Sequence, residues 1–349
     1  MSLQQDVSPV LRPAPSVSEL LMQLSSGYMP AAALYTVIKL KIADLLAAGP
    51  RPVAELARAA EANEDALYRV LRMLATFGIF SEVGLRYFRL TPAAELLRSD
   101  AAGSARDMIL WMSNPIHLRV YADMMHSVKS GTPAIEKTTG MPAFEYFAQD
   151  REASDEFNAG MTSISAMLAP AVLEAYDFSG LRTLVDVAGG HGFLLASILR
   201  KHPKMRGVLF DLEHVIAGAQ PKLEQQRVAD RCRTVSGDFF AEIPAGGDAY
   251  LLQHIIHDWD DERAVKILRN VRRAIDARPQ GRLLVFEDVV LPGNEPGLVK
   301  FLDIEMLLMP GGRERTEQEF RALFAAARFK LNRIVPTRAA IKIIEGLPA

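Results

Sequence analysis

The amino-terminal part of the chain carries apolar residues at helical spacing. Between Val17 and Ala48 the apolar positions fall on more than one helical face. A surface helix of a globular protein shows a single apolar stripe, so a second apolar face indicates burial against another chain. The pattern therefore predicts helices that assemble a homodimer.

Two helical patterns and a hairpin pattern follow. The helices are predicted over Pro52 to Ala60 and Asp65 to Phe77, and the hairpin between Gly78 and Leu90. This order is typical of a winged helix-turn-helix, which makes a DNA-binding regulator one alternative function. The second helix carries only Arg69 and Arg72 as basic residues and begins with acidic ones, a poor surface for phosphates. We interpret the region as a winged-helix-like scaffold without a nucleic-acid partner.

A long helical stretch from Met108 to Leu173 concentrates aromatic residues and methionines. Most of them are expected to form core. Methionine also lines adaptable apolar pockets, so a few of these side chains are expected to contact a flat aromatic substrate.

The second half of the chain alternates short apolar strands with helices. Its clearest unit runs from Thr183 to Leu199, where an unbroken apolar run is followed by glycines and then by helical spacing. Only the Pro336-Thr-Arg turn separates the last two strand patterns, so those strands must pair antiparallel. The alternation predicts an α/β fold with a doubly wound, Rossmann-like, mostly parallel sheet and an antiparallel last strand. The predicted domains are a disordered lead over residues 1–16, a helical dimerisation and substrate-lid domain over 17–170, and a cofactor-binding domain over 171–349.

Composition narrows the class of protein. The chain has 349 residues and a formal net charge of -2, which fits two domains and disfavours a nucleic-acid or membrane-surface protein. Its single cysteine, Cys232, excludes an internal disulfide and fits a reducing compartment. No signal peptide or long apolar run is present, so we expect a cytoplasmic protein without a membrane partner.

The glycine loop indicates a cofactor site. The loop reads Gly189-Gly-His-Gly192, Asp186 precedes it, and Asp211 ends the next strand, where it is suited to ribose hydroxyls. A dinucleotide fingerprint would add a third glycine in phase, and the loop has no basic residue for a pyrophosphate. An adenosine without phosphates fits better, and this predicts S-adenosylmethionine as the cofactor.

A histidine at the carboxyl edge of the fourth strand is the candidate base. His257 is followed by Asp258, and a neighbouring carboxylate can fix the imidazole tautomer. The alternative is that this segment only caps the next helix and His257 packs there. His254 and His257 could also suggest a metal pair, but no further ligands complete a site, so we expect no metal.

Further acids follow at the same edge. Glu287 and Asp288 end the fifth strand, and Glu314 lies in a glycine-containing loop before a helix. If they converge on His257, they would favour its charged form after it has taken a proton.

Six motifs occur in a fixed order along the chain: Phe157-Asn-Ala-Gly-Met161, Val185-Asp-Val-Ala-Gly-Gly-His-Gly192, Phe210-Asp-Leu, Gly237-Asp-Phe-Phe240, His257-Asp-Trp-Asp-Asp and Gly311-Gly-Arg-Glu-Arg-Thr316. In this order they resemble the dimeric small-molecule O-methyltransferases, which include plant caffeic acid and flavonoid enzymes, acetylserotonin enzymes and bacterial antibiotic-tailoring enzymes. The resemblance runs from about Ser18 to the end of the chain and implies an N-terminal dimerisation domain and a C-terminal class I methyltransferase domain.

The resemblance also implies roles for single residues. His257 would remove the proton of the acceptor hydroxyl, and Glu314 and Glu287 would orient it, although counting back from Pro292 selects Asp288 instead of Glu287. Asp211 would hold the ribose, Asp238 the adenine amino group, Phe239 the adenine face, and Met161 would lie on the acceptor ring. The predicted cofactor residues are Asp186, Ala188, Gly189, Gly190, Gly192, Asp211, Leu212, Gly237, Asp238, Phe239, Gln253 and Ser165, and the predicted acceptor residues are Trp111, Phe157, Met161, Asp258 and Met306.

The chain departs from the family pattern at two positions. Ala188 replaces the first of three consecutive glycines, and Gln253 stands where plant members have a lysine. The resemblance implies methyl transfer from S-adenosylmethionine to a hydroxyl of an aromatic small molecule in secondary metabolism, with S-adenosylhomocysteine as product. A cofactor-binding relative with other chemistry, such as decarboxylation, is the remaining alternative, and the acceptor stays open among polyketide, phenazine, flavonoid and indole hydroxyls.

Overall fold

The structure, a computed structural model, describes residues 16–275 and 280–349. The predicted disordered lead lies outside the described residues except for Ser16, which caps the first helix in a capping box with Glu19. The chain divides into two compact units, one ending at Asp100 and the other comprising Ala101–Ala349.

The first unit is helical with a small sheet. The predicted hairpin forms, and a third short strand pairs antiparallel with it. Asn63 caps the second predicted helix by accepting the Ala66 N–H at 2.9 Å. The helices are α1 (Val17–Ser25), α2 (Tyr28–Lys39), α3 (Ile42–Leu45), α4 (Val53–Ala59), α5 (Glu64–Thr76) and α6 (Pro92–Glu95), and the strands are β1 (Arg51–Pro52), β2 (Phe80–Gly84) and β3 (Tyr87–Leu90).

Two surface regions of this unit are a charged cluster at the hairpin turn and an apolar face on α1. Arg86, at the turn of the hairpin, forms ion pairs with Glu64 at 3.0 Å and Asp65 at 3.5 Å, so its charge is compensated by the first turn of α5. Helix α1 instead exposes its apolar side chains, among them Leu21 at 62% and Leu24 at 68%.

The second unit contains a seven-stranded sheet in the order β6-β5-β4-β7-β8-β10-β9. All neighbouring pairs are parallel except those made by β10, which runs antiparallel to both β8 and β9. This confirms the predicted doubly wound sheet with one reversed strand. The strands are β4 (Thr183–Val187), β5 (Arg206–Asp211), β6 (Cys232–Ser236), β7 (Ala249–Gln253), β8 (Arg282–Glu287), β9 (Phe329–Pro336) and β10 (Lys342–Pro348).

Helices pack on both faces of the sheet through apolar side chains, so the central strands are buried on both sides. The helices are α7 (Arg106–Met112), α8 (Pro115–Ala122), α9 (Met124–Ser130), α10 (Ala134–Thr139), α11 (Ala143–Gln149), α12 (Arg151–Ala175), α13 (Phe193–Lys201), α14 (Glu213–Ile216), α15 (Ala219–Gln225), α16 (Asp261–Ile275), α17 (Val299–Leu308) and α18 (Glu317–Ala326).

The helix pattern differs from prediction in two places. The helix predicted after β5 is broken at Gly218, where a Cβ would lie 2.8 Å from Nε2 of His191, so the backbone approaches the glycine loop closely. Helix α17 was not predicted. It is apolar on much of its surface, with Leu298 and Phe301 exposed and Leu308 buried, so no single stripe marks it.

Helices α7 to α12 belong to the second unit, whereas the predicted boundary between the two domains lies at residue 170. Helix α12 packs on α13, which follows β4, and this contact ties it to the sheet. The assignment of residues 17–170 to dimerisation and to a substrate lid stays a prediction. None of the described helices is both long and apolar enough to span a bilayer.

Candidate active site

A cavity of about 420 Å³ lies at the carboxyl edge of the parallel strands. Ligands of open α/β sheets bind at this edge, and the volume is in the range of small-molecule sites. Residues that follow β4, β5, β6 and β7 form one part of its wall, and α11 and α12 form the other.

The glycine loop brings backbone atoms to the cavity. Gly190 and Gly192 have φ of +60° and +78°, and a Cβ on Gly189 would lie 2.5 Å from Cγ of Asp186. Ala188 also adopts a positive φ, of +56°, a conformation that is less stable for alanine than for glycine. The loop conformation is thus kept despite the replacement of the first glycine.

Two strand-end acids face the cavity. Asp211 accepts the Gly190 N–H at 2.8 Å and the Leu212 N–H at 2.7 Å, and burial still raises its pKa. Asp186 is 2% exposed, lines the cavity, and makes no hydrogen bond through its carboxyl group within the described residues. Burial, and then the charge of Asp211, raise the pKa of Asp186 to about 7. An ionised Asp186 therefore lacks a cationic partner.

The remaining predicted cofactor residues are also brought together. Asp238 accepts the Phe240 N–H at 2.7 Å, and Phe239 is held by its carbonyl oxygen, which accepts from Asn270 at 2.7 Å. Ser165 Oγ lies 3.4 Å from Oε1 of Gln253. All the predicted cofactor residues line the cavity except Gly192, whose backbone starts α13 beside it.

Aromatic side chains form the wall opposite the strand ends. Phe147 and Phe157 stack with ring centroids 5.1 Å apart, and Phe144 stacks on Trp259 at 5.7 Å. Met161 lines the same wall. This surface suits a flat ring because stacked and edge-on contacts both favour planar apolar groups.

Two predicted acceptor residues are not brought to the cavity. Trp111 is 5% exposed and packs edge-on against Phe147 and Phe157, in the interior behind the aromatic wall. A Cβ on Gly160 would lie 2.8 Å from Cβ of Trp111, so α7 and α12 are in close contact there. Met306 is likewise a buried residue of α17 and does not line the cavity.

His257 lies in a 3₁₀ turn after β7, is 5% exposed and does not itself line the cavity, whereas His254 and Asp258 on either side of it do. Its Nδ1 is 2.6 Å from Oε1 of the buried Glu314. In the tautomer that donates Nδ1–H to Glu314, Nε2 keeps its lone pair. Oδ1 of Asp258 is 3.6 Å from Nε2.

Glu287 contacts His257 differently from the prediction. It accepts the backbone N–H of His257 at 3.0 Å, so it positions the turn and does not bond to the imidazole. Asp288, the alternative acid, makes no hydrogen bond to His257. Burial raises the pKa of Glu287 to about 7.

The acids decide the charge of His257. Burial alone would lower its pKa, but Asp258, Glu314 and Glu287 outweigh burial and raise the pKa to about 10. The imidazole is therefore protonated in the free protein at neutral pH.

The loop that carries Glu314 is fixed against the His257 turn. Arg313 donates its N–H to the His257 carbonyl at 2.8 Å. Arg315 is fully buried and donates to the carbonyls of Ile256 and Trp259 at 3.0 and 2.8 Å. Its guanidinium also pairs with Asp261 at 2.8 Å.

Two further residues of this contact were missed by sequence reasoning. Gly312 has no room for a side chain, because a Cβ there would overlap the His257 carbonyl. Asp303, on the unpredicted helix α17, accepts the Glu314 N–H at 2.8 Å. The adjacent glycines of the loop were a visible signal for the first, and no sequence signal marked the second.

No group of three or more histidine, cysteine, aspartate or glutamate side chains suited to a metal ion occurs in residues 16–275 and 280–349.

Family models match both parts of the chain. An O-methyltransferase domain matches residues 121–330, and an O-methyltransferase dimerisation domain matches residues 22–100. The second match ends where the first compact unit ends.

Individual proteins match over nearly the whole length. Phenazine O-methyltransferase PhzM of Lysobacter antibioticus is 44% identical over 332 residues, which cover 95% of this chain and 96% of that protein. The crystal structure of LaPhzM superposes with a TM-score of 0.92 at 43% identity and covers 96% of this chain and 100% of that chain. The O-methyltransferase NcsB1 from neocarzinostatin biosynthesis, in complex with S-adenosylmethionine and 2-hydroxy-5-methyl naphthoic acid, has a TM-score of 0.82 at 31% identity, covering 97% and 100%.

The close approach at Gly312 predicts a severe effect for a single methyl group. Gly312→Ala should lower the free energy of unfolding by about 1–3 kcal/mol, because the loop must move away from the His257 carbonyl. The same displacement withdraws Glu314 from Nδ1, so methyl transfer by the folded variant should slow. Denaturant unfolding and turnover measure the two effects.

Gly180→Ala is the matched control, since a Cβ there meets no atom within 4 Å and its φ is not positive. If Gly312→Ala were as stable and active as Gly180→Ala, the loop would not be held in the described position.

Proposed function

This chain belongs to the O-methyltransferase family, and we propose that it methylates a hydroxyl of a planar, fused-ring aromatic molecule with His257 as the base. The family resemblance inferred from its motifs is confirmed. The chain is a methyltransferase that uses S-adenosylmethionine. The observation that carries the proposal is one cavity lined by the strand-end acids, by an aromatic wall and by His254 and Asp258, which flank His257.

The residues present fit the cofactor. Asp211 offers oxygens that still have free lone pairs to the two ribose hydroxyls. Gly189 and Gly190 allow the backbone close to a ligand, and Phe239 offers a flat face for adenine. Asp186, which lacks a partner, would pair with the ammonium of the methionine part.

When bound, S-adenosylmethionine would supply a methyl group on a sulfonium: an O–C bond would form in line from the acceptor oxygen as the C–S bond breaks, with S-adenosylhomocysteine as the leaving group. The side chains of this chain then have two tasks, alignment and proton removal. The aromatic wall holds the acceptor ring, and Nε2 of His257 takes the hydroxyl proton while Glu314 keeps the imidazole oriented.

The pKa of His257 suits this task. A phenol has an ordinary pKa near 10, and the acids around His257 raise the imidazole to about 10 as well. Proton transfer between matched groups costs little free energy, so a phenolate beside an imidazolium is readily reached. Because the free imidazole is protonated at neutral pH, kcat/KM should rise with pH between 7 and 9.

The acceptor class follows from the wall and from the relatives. Phe144, Phe147 and Phe157 present ring faces and edges to the cavity. A relative that covers nearly the whole chain is a phenazine O-methyltransferase, and another belongs to mitomycin biosynthesis. We infer that the acceptor is a hydroxylated polycycle of secondary metabolism.

We propose that the chain acts as a homodimer whose interface includes α1. Its exposed leucines are not covered within the first unit, and the match to an O-methyltransferase dimerisation domain begins at residue 22, within this helix.

Sedimentation should show a dimer at micromolar concentration with an interface of the obligate class. The double substitution Leu21→Asp and Leu24→Asp should shift it to monomer, because two charges would be buried against apolar surface. Leu85→Asp, at the hairpin turn of the same unit, is the control. A stable dimer with the α1 substitutions would exclude this helix from the interface.

Replacement of the base tests the mechanism. His257→Ala should slow methylation by roughly 10²- to 10⁴-fold and leave affinity for S-adenosylhomocysteine nearly unchanged. The gap should narrow above about pH 10, where solvent ionises the phenol and the wild-type imidazole loses its proton. Single-turnover rates across pH measure both effects.

Glu314→Gln should show a smaller loss, since it keeps a hydrogen-bond acceptor for Nδ1–H and removes the charge. His126→Ala, on α9 and away from the cavity, is the control. Wild-type turnover by a folded His257→Ala protein would remove His257 from the mechanism and leave it a packing residue of the turn.

The raised pKa of Asp186 predicts pH-dependent cofactor binding. Only the ionised carboxylate pairs with an ammonium, so affinity for S-adenosylhomocysteine should rise about tenfold from pH 6 to pH 8, through the pKa of about 7. Calorimetry at several pH values measures the rise. Asp186→Asn should bind more weakly and lose the pH dependence, whereas the exposed Asp230→Asn should behave as wild type. An unchanged pH profile in Asp186→Asn would assign the titration to another group.

A further inference from the structure

His254 has a strained backbone at the cavity. It is the first residue after β7 and has φ of +52°, in the left-handed region that non-glycine residues seldom adopt. Its N–H donates to the Phe286 carbonyl at 3.0 Å, which continues the pairing with β8 and fixes this conformation. Strain of this kind persists where the surrounding structure imposes it, and it concentrates at functional sites.

The imidazole of His254 is also short of partners. Its Nε2 is buried without a hydrogen bond, and the ring makes none within the described residues. A buried polar atom without a partner costs about 1–3 kcal/mol, so it requires an explanation. The strain and the missing bond occur in one residue; Nε2 has no exposed surface, so other atoms of His254 line the cavity.

The ring of His254 lies beside the ring of His257. Its centroid lies 5.2 Å from that of His257, with 46° between the ring planes. Burial, and then the charge of His257, lower its pKa to about 3, so His254 is neutral at physiological pH. A neutral imidazole offers one donor and one acceptor and adds no charge beside a sulfonium.

We propose that His254 is a specificity-determining residue of the acceptor subsite, where it hydrogen-bonds a nitrogen or oxygen adjacent to the reacting hydroxyl. The acceptor would carry two neighbouring polar atoms, its hydroxyl and an adjacent ring nitrogen, carbonyl or second hydroxyl. Because the two histidine rings lie side by side, each of these polar atoms can contact one ring. His257 takes the proton, and His254 selects the orientation. This inference rests on the proposed function, because it presumes an aromatic hydroxyl beside His257.

A matched acceptor pair tests the inference. 1-Hydroxyphenazine has a ring nitrogen beside its hydroxyl, and 1-hydroxyanthracene has the same shape with carbon there. The wild-type protein should prefer the phenazine in kcat/KM by at least about tenfold, the value of one hydrogen bond. His254→Phe, which keeps a ring and removes both nitrogens, should lose this preference by slowing on the phenazine alone.

Two further variants separate recognition from folding. His254→Gly accepts the positive φ without strain, so the turn should keep its conformation while the preference is lost. His254→Asn tolerates the same backbone and keeps a donor and an acceptor, so it should retain part of the preference. Affinity for S-adenosylhomocysteine, measured by calorimetry, should be unchanged in all three.

The outcomes are distinct. Equal losses on both acceptors would mean that His254 only supports the turn, and an unchanged preference in His254→Gly would mean that another residue reads the neighbouring atom; either overturns the inference and leaves the proposed function in place. If folded wild-type protein that binds S-adenosylhomocysteine methylates neither compound, the proposed acceptor class fails and this inference fails with it.

Discussion

The contact between the His257 turn and the loop from Gly311 to Thr316 is the constraint on which the site depends. The two backbones approach so closely that Gly312 has no space for a methyl group, and Arg315 fills the interior between them. The buried guanidinium donates to two carbonyl groups of the turn, those of Ile256 and Trp259. Glu314 reaches Nδ1 because its loop is fixed from both sides, by these bonds and by Asp303 on α17.

The sheet gives the cofactor site the same rigidity. Asp186 and Asp211 belong to neighbouring parallel strands, so their separation is set by the register of β4 and β5. Ala188 and His254, which both have a positive φ, lie at the same edge of the sheet. The buried strands beside them impose these backbone conformations, which an isolated loop would not keep. The aromatic wall comes from α11 and α12, which lie in the same compact unit as the sheet.

Much of this arrangement could be predicted from local pattern. Alternating apolar runs located the strands, and parallel strands bring their carboxyl ends to one edge, so Asp211 and His257 could be placed there before any coordinates. Contacts between distant segments could not be predicted. Glu287 accepts a backbone N–H where the end of β8 meets the His257 turn, and it does not bond to the imidazole. Trp111 turns into the core where α7 packs against α12. Helix α17 gave no single apolar stripe, so its residue Asp303 went unnoticed.

The charges around His257 explain why several acids surround one imidazole. Burial removes water from the ring and would lower its pKa, which would leave a base too weak to hold a phenol proton. The same burial raises the pKa of Glu287 to about 7 and that of Asp258 to about 6, so each acid alone contributes less than a fully ionised carboxylate at neutral pH. Several acids are therefore needed to offset one desolvation. Because His254 stays neutral, it leaves this balance intact while occupying the adjacent wall of the cavity. Charge therefore differs between neighbouring parts of the site: ionisable groups converge on His257, and the ring of His254 beside it stays neutral.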